Sequence, residues 1–72
     1  MSIILTLMRY GNKTDFTHES VKDAAKHGVN CAEDNSAAPN KITAHGVVVW
    51  ENTGPFDGSY NKLRELAKGN PL

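Results

Sequence analysis

The chain has 72 residues, 8 Lys plus Arg against 8 Asp plus Glu, and a formal net charge of zero. A chain this short buries only about 60% of its unfolded surface, so residues 1–72 read as one small domain with a thin core and little room for a deep pocket. Zero net charge, with neither sign gathered into a run of five or six, weighs against nucleic acid as the main partner, because affinity for a phosphate backbone comes chiefly from surplus Lys and Arg.

The chain opens on "SIILTLMR", which is rich in branched apolar residues and bounded by Gly11 and Asn12. It is too short and too apolar for a surface helix and reads as a buried strand. The apolar run from Ile3 to Met8 has no basic residues ahead of it and is too short to cross a bilayer, so neither a leader nor a membrane span is expected. A single cysteine cannot form an internal bridge. Its presence alone argues against a disulfide-stapled secreted scaffold and for a reducing, cytoplasmic setting.

A first helix is expected from Thr17 as N-cap, with Phe16 and Val21 forming a hydrophobic staple and Glu19 in the first turn. Val21, Ala24, Ala25 and Gly28 fall on one side at helical spacing and make a small-residue stripe suited to lie close against a sheet. Lys26 and His27 suit a last turn, Gly28 suits a left-handed residue just past the end, and Val29 supplies the hydrophobic contact beyond it. The helix is therefore expected to stop at His27, leaving "VNCAE" as a short extended segment. The alternative is a helix running on to Asn35, since an internal glycine costs only about 1 kcal/mol relative to alanine. The choice matters chemically, because only the longer helix sets His27 and Cys31 four residues apart on one face.

Residues 33–40, "EDNSAAPN", have the composition of a linker. In "KITAHGVVVWEN" an alternating start gives way to the uniformly apolar run from Val47 to Trp50, the pattern of a strand passing into a buried setting, with Gly46 as a bulge or bend. "NTGPFDGS" is dense in turn formers. Ser59 or Asp57 is expected to cap a last helix whose Tyr60, Leu63, Leu66 and Ala67 are buried and which ends at Lys68, Gly69 and Pro71. The expected fold class is α+β: a β-α-β-β-α domain with a three-stranded mixed or antiparallel sheet packed with two helices.

Motifs for chemistry are sparse. His18, His27, Cys31 and His45 are the soft ligands, but no CxxC or HExxH spacing organises them into a zinc site. A minor metal or thiol site at Cys31 with His27 or His45 remains an alternative, since a thiolate needs a neighbouring base or cation. "YGNKTD" fails as a phosphate loop because both glycines of the required frame are missing at Leu7 and Asn12. Asn12-Lys13-Thr14 is a glycosylation sequon by pattern alone. "TGPFDGS" could offer amides to an anion at a helix start, but Asp57 would repel it. Glu33 and Asp34 are adjacent and point apart, so no carboxylate pair for acid-base catalysis is visible. Lys62, Arg64 and Lys68 give the last helix a mild positive bias, the basis of an alternative as a small nucleic-acid-binding protein. The interleaved aromatics of a single-strand binding surface are missing.

The most informative pattern is apolar residues on both sides of the strands. Ile3, Leu5 and Leu7 oppose Ile4, Met8 and Tyr10; Ile42, Val48 and Trp50 oppose Val47 and Val49. Two helices of about ten residues, each roughly 15 Å long, cover one sheet face if they pack side by side. The reading from sequence is therefore a non-enzymatic protein-interaction module, a small regulator or inhibitor-type protein using an apolar sheet face, with a homodimer as one form. Its partner is another protein or a second copy, it needs no cofactor, and Met8, Tyr10, Val48 and Trp50 are the contact residues. The competing expectation is a self-sufficient monomer with one helix on each face.

Overall fold

Ile3, Leu5 and Leu7 alternate along β1 (Ile3–Arg9), point to one side of the sheet and are buried. The computed structural model describes residues 3–54 and 57–69. Ser2, Pro55, Phe56 and Pro71, which figure in the expected elements and turns, lie outside the described residues. The chain reverses at Tyr10 and Gly11, with φ of +52° and +80°. These left-handed values are those of the tight two-residue turn whose twist matches a hairpin. β2 (Asn12–His18) then runs antiparallel to β1 along its whole length, from Arg9 opposite Asn12 to Ile3 opposite His18.

β3 (Ala38–Ala44) pairs with the other edge of β1, and β4 (Val47–Glu51) pairs with β3. The result is a four-stranded antiparallel sheet in the order β2-β1-β3-β4. This corrects the three-stranded β-α-β-β-α expectation in three places, the first being that "VNCAE", read as a short extended segment, is the last part of the helix Val21–Glu33. β2 carries a polar, largely exposed sequence that shows no buried alternation. The segment read as one long third strand is a hairpin folded at His45 and Gly46, with φ of +54° and +83°.

α1 (Val21–Glu33) begins later and ends later than expected. Ser20 caps it, its hydroxyl accepting from the Asp23 amide at 3.1 Å, while Phe16 and Thr17 belong to β2. The helix passes through Gly28, as the longer alternative required. The reason is packing: a Cβ on Gly28 would meet Pro39 Cβ at 3.3 Å and side-chain carbons of Leu5 and Leu63 at 3.5 Å. Gly28 therefore allows α1 to approach the sheet closely. The left-handed C′ residue is Asn35, with φ of +59°. The Ser36 amide donates to the Cys31 carbonyl at 3.0 Å and the Asn35 amide to the Ala32 carbonyl, the pairing of a Schellman end.

α2 (Ser59–Ala67) starts after Asp57, whose Oδ1 accepts from the Ser59 amide at 2.9 Å. Trp50 is buried under its first turn, its indole N–H donating to the Ser59 carbonyl at 2.7 Å. Both helices lie on the same side of the sheet. Their Ala24, Ala25 and Leu63 share one core with Ile3, Leu5, Leu7, Ile42 and Trp50, and Leu5, Ile42 and Leu63 are fully enclosed.

The second sheet face carries no helix. Register places three rows across it: Thr17, Ile4, Thr43 and Val48; Asp15, Thr6, Lys41 and Glu51; Lys13, Met8 and Ala38. Within the middle row the Thr6 hydroxyl donates to Asp15 Oδ1 at 2.7 Å. The face is thus a mixture of apolar and charged side chains, a composition that an antiparallel sheet can present to water. A β-bulge between Ile42 and Thr43 sets Trp50 inward and Val48 outward, so these two do not share a face. The same bulge interrupts the outer edge of β4, a common way of blunting an exposed strand edge.

Candidate functional site

Concavity is concentrated at one end of the domain, where the β1–β2 turn, the C-terminal end of α1 and the start of β3 meet. One hollow of about 420 Å³ is lined by Met8, Arg9, Tyr10, Pro39, Asn52 and Tyr60, among others. A second, of about 330 Å³, lies between the β1–β2 hairpin and α1 and includes Leu7, Arg9, Thr14, Phe16, His27 and Cys31. Arg9, Ser36 and Ala37 line both, so the two are lobes of one trough. Both volumes fall in or near the range of sites that accept small ligands or the side chains of a partner.

The four expected contact residues are not brought together. Met8 and Tyr10 stand at the trough, with Tyr10 91% exposed on its turn. The Arg9 guanidinium carbon sits 5.7 Å from the Tyr10 ring centroid, a cation–π arrangement. Val48, 48% exposed, lies on the open sheet face beside Thr43. Trp50 is 4% exposed and structural, so no partner reaches it in this state. Arg9, Phe16 and Tyr60 were missed by sequence reasoning. Phe16 was assigned to a helix staple and Tyr60 to the core, and nothing in a lone Arg after a strand separates a site residue from an ordinary surface cation.

The continuous α1 restores the relation between His27 and Cys31 that an early helix stop would have removed. Both are half-buried and line the second lobe. His27 is also held from the sheet side: its Nδ1 lies 2.9 Å from His18 Nε2, a hydrogen bond whose donor depends on the tautomers. Phe16 meets the His27 ring edge to face, with centroids 4.9 Å apart. The His18 imidazole is held below its ordinary range, first by burial and next by neighbouring His27, while Asp23 acts in the opposite direction. His45, on the β3–β4 turn, joins neither. Among the described residues, no three His, Cys, Asp or Glu side chains form a group able to hold a metal ion.

Carboxylates near the trough are occupied locally. Asp34 accepts from the Ser36 amide at 2.9 Å, and its bonds to the Ser36 side chain and amide hold its carboxyl below the usual range. At the opposite side of α2's start, Asp57 accepts from the Thr53 hydroxyl and the Ser59 amide, which lower its carboxyl in the same way. Neither Asp34 nor Asp57 lines the trough. Among the described residues no helix is long and apolar enough to cross a membrane. No protein-family model matches the chain, and no match is found among curated proteins or solved structures.

Proposed function

We propose that this chain is a non-enzymatic protein-binding module, working in the cytoplasm, whose contact surface is the trough end of the domain. The observation that carries this reading is the placement of Met8 and Tyr10. Tyr10 projects almost fully exposed from a tight turn, next to a hollow large enough to take side chains from another molecule. Tyrosine, methionine and arginine are enriched at protein interfaces: the first two bring large contact area with few polar groups to desolvate, and arginine brings a planar, weakly hydrated guanidinium that stacks and pairs with carboxylates. The open sheet face supports the reading less, since Lys13, Asp15, Lys41 and Glu51 interrupt its apolar rows.

A photo-crosslinking side chain placed at Tyr10 tests this, with the same group at the exposed α2 residue Asn61 as control. The reading expects a discrete adduct from cell extract at position 10 and none at 61. Light scattering from micromolar to millimolar protein separates a second copy from a foreign partner. A monomer whose position 10 crosslinks no more than position 61 would overturn the proposal.

A further inference from the structure

Among the described residues, Arg9 is the one side chain with a permanent charge in the trough, and it lines both lobes. Its guanidinium is oriented by the Tyr10 ring and has no carboxylate partner among the described residues. From α1, His27 and Cys31 line the second lobe, and among the described residues no Asp or Glu lines either lobe. Beside Arg9 the second lobe is lined by the apolar side chains of Leu7, Phe16 and Ala37 and by the Cys31 thiol. Asn35 and Tyr60 line the first lobe, and neither the Asn35 side-chain carboxamide nor the Tyr60 hydroxyl has a hydrogen-bond partner among the described residues.

We infer that the trough takes an extended acidic peptide segment of a partner protein. A carboxylate seats on Arg9, an aliphatic or aromatic side chain enters the lobe over Leu7 and Phe16, and the peptide backbone meets Asn35 and Tyr60. This rests on the protein-binding reading above and adds the partner's chemistry. The charge argument decides the sign: a planar guanidinium pairs with a carboxylate through two parallel N–H donors, and a lysine-bearing segment would instead place like charges together. The form of the site decides the size. Two hollows joined at Arg9, Ser36 and Ala37 and open to solvent accommodate a stretch of chain, where a single closed pocket would suit a compact small molecule. Asp34 stands on the adjoining loop, so the acidic group of the partner is confined to the Arg9 side.

The test uses the full chain, isotope-labelled, titrated with the capped pentapeptide Glu-Leu-Asp-Phe-Glu and with its counterpart carrying Lys at each acidic position. The proposal expects saturable amide shifts at Arg9, Cys31, Ser36, Ala37 and Tyr60 with the acidic peptide only. Arg9→Glu, an exposed substitution that leaves the core untouched, removes the paired donors and adds a like charge, and should weaken binding by about tenfold or more. Lys62→Glu, on the exposed side of α2 and lining neither lobe, should leave it unchanged. Equal binding of the lysine peptide, shifts centred on the open face, or no saturation would each overturn the acidic-peptide assignment. So would decanoate giving the same shifts with equal or greater affinity, which would mean a small amphiphile is the occupant. Failure here with a persisting Tyr10 crosslink removes the partner's chemistry alone; loss of the crosslink removes the binding reading itself.

Discussion

Single residues decide how closely the two layers meet. Gly28 is where α1 touches the sheet, and a larger side chain there has nowhere to go between Pro39, Leu5 and Leu63. Gly28→Leu should cost about 1–3 kcal/mol or more through overpacking, read by urea unfolding. Gly28→Ala should be close to neutral, because the helix-propensity gain of about 1 kcal/mol is offset by a 3.3 Å contact with Pro39. A large stabilisation by alanine would show that the contact yields easily. His18 sets a pH dependence whose sign follows from its lowered value. The unfolded chain takes up the proton first, so the stability held in neutral His18 is intact above its ordinary value of 6.5 and is lost as pH falls below it toward the depressed folded value. Urea midpoints at about pH 7 and about pH 5 should separate more in the native chain than in His18→Gln. Equal separation in both would remove the His18–His27 contact as the cause.

At the level of elements, Trp50 joins β4 to α2 through its bond to the Ser59 carbonyl. Trp50→Phe keeps most of the apolar area and removes the donor, so a loss of about 1–3 kcal/mol is expected from the missing bond and the smaller ring together. The strands should differ in hydrogen exchange. β1 is paired on both edges and carries the core, whereas β2 is an exposed edge held by β1 alone. Amides of β2 should exchange faster than the paired amides of β1, and the reverse order would contradict the sheet order. The elements also show where sequence patterns lose to context. Gly28 followed by Val29 is a sound local stop signal, yet the helix continues because the glycine is needed for close packing and Asn35 provides the left-handed end. Tight hairpin turns usually announce themselves with Asn-Gly. Here Tyr10 and His45 occupy the first left-handed position, so both hairpins were hidden in otherwise readable segments.

For the molecule as a whole, the two sheet faces have different jobs, and substitution should separate them. Val48→Lys, on the uncovered face, should change stability by no more than about 0.5 kcal/mol. Leu63→Ala, in the enclosed core, should cost about 2–5 kcal/mol. A large loss from Val48→Lys, measured by the same unfolding experiment, would mean that something covers the open face in solution. Much of the core was legible: the apolar face of β1, the small-residue stripe Ala24, Ala25 and Gly28, and the Leu63 side of α2 all follow from side-chain periodicity. The trough was not, because it is lined from β1, β2, the end of α1, the following loop, Asn52 and α2, segments distant along the chain. Of its residues Met8 and Tyr10 stood out beforehand as contact residues, and His27 and Cys31 as an alternative metal or thiol pair, two readings that nothing in the sequence joined.

By itself the sequence determined the α+β class, the two amphipathic helices and the first strand, whose Ile3, Leu5 and Leu7 lie in the core. These depend on local spacing of apolar residues, which is written along the chain. Tertiary structure alone decided that both helices share one face, that a bulge parts Val48 from Trp50, and that Arg9 lines one hollow together with Phe16, His27 and Cys31. Those outcomes depend on register and on how closely two layers approach, and such distances are set by residues that no local pattern connects.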